Sequence, residues 1–418
     1  MKIRIDHIAK IEGHASFTAD IVQGDVRAAR VKIEEGARLF EGILRGRQDE
    51  ELPEIVSRIC GVCPVVHNLT AHKAIENAYQ LEIDKTAVSL RKLMMLGQLI
   101  NSHALHLFFF SLADFFGYKS DLQLINAYPE KTHDAVKIRD VGNHIVETIG
   151  GRAVHPITPM IGGFRKIPEK EKLETLLLEC KKAMPLAAKL ADLFTHLKYP
   201  EFYRETTFVS LSHPQEYAIY EGKIKAGKLV LDPEQFLLLV KEFQSKDLVA
   251  KRTKFAGDTY MVGALARLHN NFEKLNPEAK KIWENSKLKL PCPNPFYNIF
   301  AQAIELVHCL EESITLLELL LSTEVKVSSN KISNYTGRGV GTIEAPRGSL
   351  FYSVELKDKV IKDLNIITPT AQNIANLEAD LEQFERLEGF KNLKREERKD
   401  KIKMLVRAYD PCVTCAVH

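Results

Sequence analysis

Residues 85–116 read KTAVSLRKLMMLGQLINSHALHLFFFSLADFF, and everything else in the chain is arranged around what that stretch must do. Leu90, Leu93, Leu96, Leu99, Leu105 and Leu107 recur at helical spacing, and Asp84 stands before Lys85 as an N-cap. The helix is apolar on most faces, so it belongs inside a bundle. Ser111 and Asp114 interrupt its apolar run, as Glu318 interrupts Ile314–Leu321. Neither run reaches the ~18 apolar residues of a membrane span.

Toward the N-terminus, residues 2–35 alternate through Ile3, Ile5, Phe17, Ala19, Ile21, Val26, Ala28, Val31 and Ile33, with a Gln-Gly-Asp turn at 23–25. This pattern predicts a small antiparallel sheet built from hairpins. Toward the C-terminus, helical spacing predicts helices near 129–150, 168–197, 233–246, 268–286 and 296–323. Pro156, Pro159, Gly162 and Gly163, then Pro291, Pro293 and Pro295, punctuate them. Short strands are predicted at 228–231 and near 339–367, then a charged helix at about 374–405. The expected class is mainly α (α+β): a central long-helix bundle with small antiparallel sheets near the N-terminus and in the C-terminal third. No linker or repeat divides the chain. One domain, 1–418, is expected, with an N-terminal sheet (1–50), a helical bundle (51–325) and a C-terminal sheet and helix (326–418).

Composition excludes several classes. With 45% hydrophobic and 27% charged residues, the 418-residue chain is neither disordered nor a disulfide scaffold. The 58 basic and 55 acidic residues leave a net charge of +3, too small for a nucleic-acid or membrane-surface field. MKIRIDHIAK carries no apolar run after its charges and is no secretory signal. A cytoplasmic location is expected. The run KREERKDKIK (394–403) reads as a solvated helix face. GRGVGT (337–342) reads as a turn between strands, and a nicotinamide or flavin would have to bind elsewhere in a complex.

Four of the seven cysteines form two CxxC pairs, Cys60/Cys63 in RICGVCPVVH and Cys412/Cys415 in DPCVTCAVH. Two such pairs make a four-thiolate site for zinc, an iron–sulfur cluster or nickel. Spacing alone favours a structural zinc knuckle. Against it, the site would tie together the two ends of a long chain, and the flanks are apolar or helical. Ionisable His67, Asp410 and His418 also stand beside the pairs, where a closed structural site needs no proton acceptor. Cys180 and Cys309 read as core thiols, and Cys292 as a loop residue without a role. His103 and His106, three apart, read as buried hydrogen-bonded histidines.

RICGVCxxxH with a C-terminal DPCxxCxxH resembles the large subunit of [NiFe] hydrogenases. KIEGH (10–14), EGARLFE (35–41), SHALHLFFFSLAD (102–114), IEAPRG (343–348) and ITPTAQN (367–373) extend the resemblance over the whole chain. The short length is most like the cytoplasmic multisubunit group coupled to soluble carriers. The resemblance implies a Ni–Fe centre whose iron carries CO and two CN ligands, with H2 as the substrate. Cys60 and Cys412 would be terminal nickel ligands, and Cys63 and Cys415 would bridge. Cys412 would receive the proton from H2, and Glu12 would relay it. Arg347 would lie over the metals and anchor a cyanide, with Asp114 and Asp410 around it. Thr370 and Pro369 would line the diatomic ligands, and His67 would stand beside a bridging thiolate. Glu41, His418 and the Ile366 carbonyl would bind Mg2+ or Fe2+. The same resemblance implies an iron–sulfur small subunit docked near Cys60 and the N-terminal segment. Further flavin or iron–sulfur subunits would pass electrons to an acceptor such as NAD(P). A hydrogen sensor and a structural zinc protein with four cysteine ligands remain as alternatives.

Overall fold

The computed structural model describes residues 2–22, 25–118, 120–244, 248–286, 288–323 and 332–418. The Lys85–Leu105 helix starts where Asp84 accepts a hydrogen bond from the Thr86 amide at 2.8 Å. It packs against Pro129–Gly150 and Asn298–Ser322, and Lys170–Thr195 covers the latter two. Gly97 and Gly142 let two of these helices touch backbone to backbone: a Cβ on Gly97 would lie 2.8 Å from the Gly142 carbonyl. The helix then widens into a π turn, His106–Ser111, before a last α turn, Leu112–Phe115. Sequence spacing does not register this widening, because one inserted residue barely alters the apolar pattern. Contrary to the reading from apolar runs, Lys85–Phe115 is long and apolar enough to cross a membrane. Even so, 78% of its apolar window is buried inside the molecule, as a core helix requires.

At the N-terminus, Lys2–Ile5, Ala15–Val22 and Asp25–Ile33 form an antiparallel sheet. The turn expected at 23–25 falls partly on residues 23 and 24, outside the described residues. In the C-terminal third, Gly337–Ala345, Gly348–Lys357 and Val360–Ile367 form a second antiparallel sheet. GRGVGT is therefore strand, not turn. Its glycines are needed for a close approach to the Pro64–Ala78 helix. A Cβ at Gly337, Gly339 or Gly341 would fall 2.1–2.3 Å from the carbonyls of Ala78, Ala74 and Thr70.

Three predicted helices are cut. Helix 233–246 ends at Leu239, and Val240–Phe243 is a strand paired with Arg252–Phe255. Stretch 268–286 divides into Ala264–Asn271 and Pro277–Asn285, because Pro277 cannot continue a preceding helix but opens a new one. Stretch 374–405 divides into Pro369–Arg386, Glu388–Lys391 and Arg395–Ala408. The charged residues 395–397 are exposed, as expected of a solvated face, and the helix becomes buried from Met404 onward.

Candidate metal centre

The two chain ends meet in the core. Cys60 leaves the tight turn Ser57–Ile59, and Cys63 caps the Pro64–Ala78 helix. Cys412 caps Val413–Ala416, whose one turn brings Cys415 to the same side. All four thiols are free and buried, and their sulfurs lie within 4.8 Å of one another. Cys60 Sγ is 3.5 Å from Cys412 Sγ, Cys63 Sγ is 3.4 Å from Cys415 Sγ, and the Cys412 and Cys415 sulfurs are 2.7 Å apart. Metal–sulfur bonds of about 2.3 Å keep thiolates on one ion within about 4.6 Å of each other. Among the described residues this is the one such cluster.

The electrostatics point the same way. The neighbouring Cys412, Cys415 and Cys63 sulfurs hold the Cys60 thiol well below its ordinary pKa. Burial pushes the Cys412 and Cys415 thiols well above theirs. The protein alone thus favours one thiolate, and four together require a compensating cation. A soft or borderline metal fits that donor set.

Glu12 reaches this centre because Gly13 has φ +82°. A Cβ there would lie 2.7 Å from Val413 Cβ, so only glycine lets KIEGH lie against the cysteine segment. The Glu12 carbonyl accepts from the Val413 amide at 2.9 Å. Its Oε2 stands 3.1 Å from Cys412 Sγ and accepts from the Thr414 amide at 3.0 Å, while Thr414 Oγ1 donates to Oε1 at 2.7 Å.

Arg347 is buried at the edge of the sulfurs. Its Nε donates to the Asp410 carbonyl at 2.7 Å and its Nη2 to Asp410 Oδ1 at 2.8 Å, while Nη1 is buried with no partner among the described residues. Gln302 Nε2 donates to Asp410 Oδ2 at 3.0 Å, and Gln302 Oε1 pairs with His106. Asp114 corrects the expectation. Its Oδ1 pairs with Arg407 at 2.6 Å, so among these hydrogen bonds Asp410 alone serves Arg347. Thr370 Oγ1 accepts from the Cys412 amide at 2.9 Å, which leaves its O–H free to donate. Pro369 opens the same helix and is buried beside it. His67 Nε2 lies 3.5 Å from Cys415 Sγ, and Nδ1 lies 2.7 Å from the Tyr352 hydroxyl. Burial pulls the His67 pKa down to about 3, so the ring is neutral.

A second cluster pins the C-terminus. His418 Nε2 donates to the Ile366 carbonyl at 2.8 Å and stands 3.8 Å from Glu41 Oε1, which accepts from the Ile366 amide at 2.9 Å. Lys251 Nζ lies 3.3 Å from both Glu41 oxygens. Burial opposes ionisation of Glu41, but His418, the Ile366 amide and Lys251 outweigh it and hold the carboxyl down to about 2.

Several residues of these clusters carry no motif of their own. Tyr352, Gln302 and Lys251 arrive through tertiary packing, while Thr414 comes with the DPCVTCAVH motif itself. Arg38 offers a signal, standing inside EGARLFE. Its Nη2 donates to the carbonyls of Ile59 and Thr414 and so clamps the two cysteine segments together.

A buried four-sulfur centre with a carboxylate on one sulfur and a buried arginine nearby defines the class: a protein built around a thiolate-held metal site. Residues 38–139 and 215–418 match the nickel-dependent hydrogenase family, and the chain belongs to that family, as an oxidoreductase acting on H2; the structural zinc alternative is not favoured. It is similar to the alpha chain of sulfhydrogenase 1 from Pyrococcus furiosus, 36% identical over 100% of this chain and 98% of that one. The alpha chain of sulfhydrogenase 2 from the same organism is 34% identical over 100% of this chain and 99% of its own length. Among solved structures, an NAD+-reducing [NiFe]-hydrogenase in the H2-reduced state superimposes with a TM-score of 0.89. That match is 26% identical and covers 100% of this chain and 99% of the other.

Proposed function

We propose that this chain is the subunit that cleaves and re-forms H2, and that Cys60, Cys63, Cys412 and Cys415 would hold its nickel–iron centre. When bound, the centre supplies the Lewis acidity that polarises H2 and the redox range that takes up its electrons. The observation that carries the reading is the carboxylate on a sulfur. Glu12 Oε2, 3.1 Å from Cys412 Sγ, is placed to take a proton from that thiol, and the Thr414 amide and hydroxyl hold it there. Arg347, Thr370 and Pro369 would receive the iron's CO and two CN ligands. The unpartnered Arg347 Nη1 and the free Thr370 O–H support that, since each is a donor waiting for an acceptor. Neutral His67 would donate to the Cys415 sulfur and orient it. Asp410 would hold Arg347, and Asp114 would act one step further out, through Arg407.

Glu41, His418 and the Ile366 carbonyl would bind Mg2+ or Fe2+. One carboxylate, one carbonyl and one imidazole suit a hard or borderline divalent ion. Electrons would leave through an iron–sulfur small subunit. Exposed Val154 and Ile157 support a docking face beside Cys60, because His155 between them donates to the Ser57 carbonyl at 3.0 Å. Further flavin or iron–sulfur subunits and an acceptor such as NAD(P) would follow, and the free thiols suit the reducing cytoplasm.

The test is elemental analysis of the complex from its native host, with H2-dependent dye reduction. The expected result is nickel at one per chain, with iron in excess of it because the iron–sulfur subunits add their own, together with activity. Zinc at one per chain, no nickel and no activity would contradict it.

A further inference from the structure

We propose that Arg267 is a positioning residue for H2 chemistry: held by Glu305 and Glu344, it fixes the carbonyls of Ala345 and Pro346 and so aims Arg347 at the sulfurs. The inference rests on the reading above that Arg347 acts at the metal centre.

Arg267 lies on the Ala264–Asn271 helix and is fully buried. A guanidinium has five N–H groups in a fixed planar fork, and here all five have acceptors. Nε donates to Glu305 Oε1 at 2.6 Å and Nη2 to Glu305 Oε2 at 2.7 Å, a bidentate pair. Nη1 donates to Glu344 Oε2 at 3.0 Å. The remaining two reach the backbone: Nη1 to the Ala345 carbonyl at 2.8 Å and Nη2 to the Pro346 carbonyl at 3.1 Å. Those are the two residues that precede Arg347 in the chain.

The carboxylates are held in turn. Glu305 also accepts from the Tyr217 hydroxyl at 2.7 Å and pairs with His103 Nε2 at 2.9 Å. Glu344 also accepts from the Ser349 hydroxyl at 2.6 Å and the Leu211 amide at 2.8 Å. The turn itself is packed tightly. Gly348 has φ +129°, and a Cβ there would lie 2.5 Å from a Val262 methyl and 2.8 Å from the Gly263 amide. The cluster therefore closes on the 345–348 turn from one side, while Asp410 holds the Arg347 head group from the other. A lysine at 267 keeps the charge but offers three donors for five acceptors, so the Ala345 and Pro346 carbonyls lose their hold.

The test is a double-mutant cycle on the metal-loaded complex from the native host, using R267K, R347K and the pair. Nickel content, Tm, kcat and KM for H2 with a dye acceptor, and the infrared bands of metal-bound diatomic ligands are read for each. R347K alone is expected to lower kcat and shift those bands. R267K is expected to keep nickel content and KM, to lower kcat roughly 10-fold, and to shift the bands as R347K does. The pair is expected to be no worse than R347K alone. If R347K changes neither rate nor bands, the reading of Arg347 fails and the proposal fails with it. If R347K acts but R267K is silent, or its effect multiplies in the double variant, the positioning role alone is overturned. Should R267K not assemble, E344Q carries the same cycle, since it removes the charge that holds Nη1. If neither yields nickel-loaded complex, the cluster belongs to folding and the positioning role is rejected.

Discussion

Arg267 and Arg347 are both buried, and they are satisfied in opposite ways. Every N–H of Arg267 has an acceptor, and both its carboxylate partners are saturated from other directions. Among the described residues Arg347 keeps one nitrogen, Nη1, without a partner, beside a sulfur cluster in which burial pushes the Cys412 and Cys415 thiols well above their ordinary pKa. A buried polar group left unpaired costs about 1–3 kcal/mol. The contrast separates a network that the fold completes by itself from one that a bound group completes. On the reading proposed above, the chemistry lies at Arg347 and the rigidity at Arg267.

The largest expected effect breaks the incomplete site. Glu12→Gln keeps the shape and the Thr414 contacts but cannot carry a proton from Cys412. H2 turnover and H2/D2 exchange should fall by roughly 10²–10⁴ with nickel content and Tm unchanged; unaltered exchange would remove Glu12 from the proton route. The next breaks the complete network. Glu305→Gln leaves Arg267 short of its bidentate partner, and breaking a buried ion pair costs about 3–5 kcal/mol. A clear fall in Tm is expected, and an unchanged Tm would mean the cluster contributes little to rigidity.

A smaller effect sharpens the rule by supplying an unsatisfied group far from any proposed metal. Glu385 is buried, both its oxygens lack partners among the described residues, and burial pushes its carboxyl up to about 7. Glu382 adds to that shift and Arg398 opposes it. Because the folded-state pKa is raised, the folded chain holds a proton between about 4.5 and 7 that the unfolded chain releases. Stability should therefore fall as pH rises through that window and level off above it. Glu385→Gln should flatten this dependence and add on the order of 3 kcal/mol at pH 8. An unchanged pH profile would show that Glu385 finds a partner in solution.

Much of this is legible in the sequence alone. The apolar Lys85–Phe116 stretch announces a buried helix, and the two CxxC pairs announce a four-thiolate site at the junction of the chain ends. Glycines are harder to read. GRGVGT looks like a turn because its reason for lacking side chains, the backbone of residues 70–78, lies more than 250 positions away. Pro277 is visible, but the helical spacing of 268–286 runs across it and hides the break. Asp114 reads as a partner of Arg347, since sequence does not show that Arg407 stands nearer. The Arg267 cluster is not visible as a unit: Glu344 stands in IEAPRG, but nothing in the sequence links it to Arg267 or Glu305. Its members come from three separate segments, and only packing brings them together.

The most direct test of the central claim is an infrared spectrum of the complex purified from its native host, read where metal-bound carbon monoxide and cyanide absorb. One carbonyl band and two cyanide bands are predicted, shifting when Arg347 is replaced by lysine. A spectrum without such bands, from a complex that holds one zinc per chain, would contradict the account and leave Cys60, Cys63, Cys412 and Cys415 as a structural site.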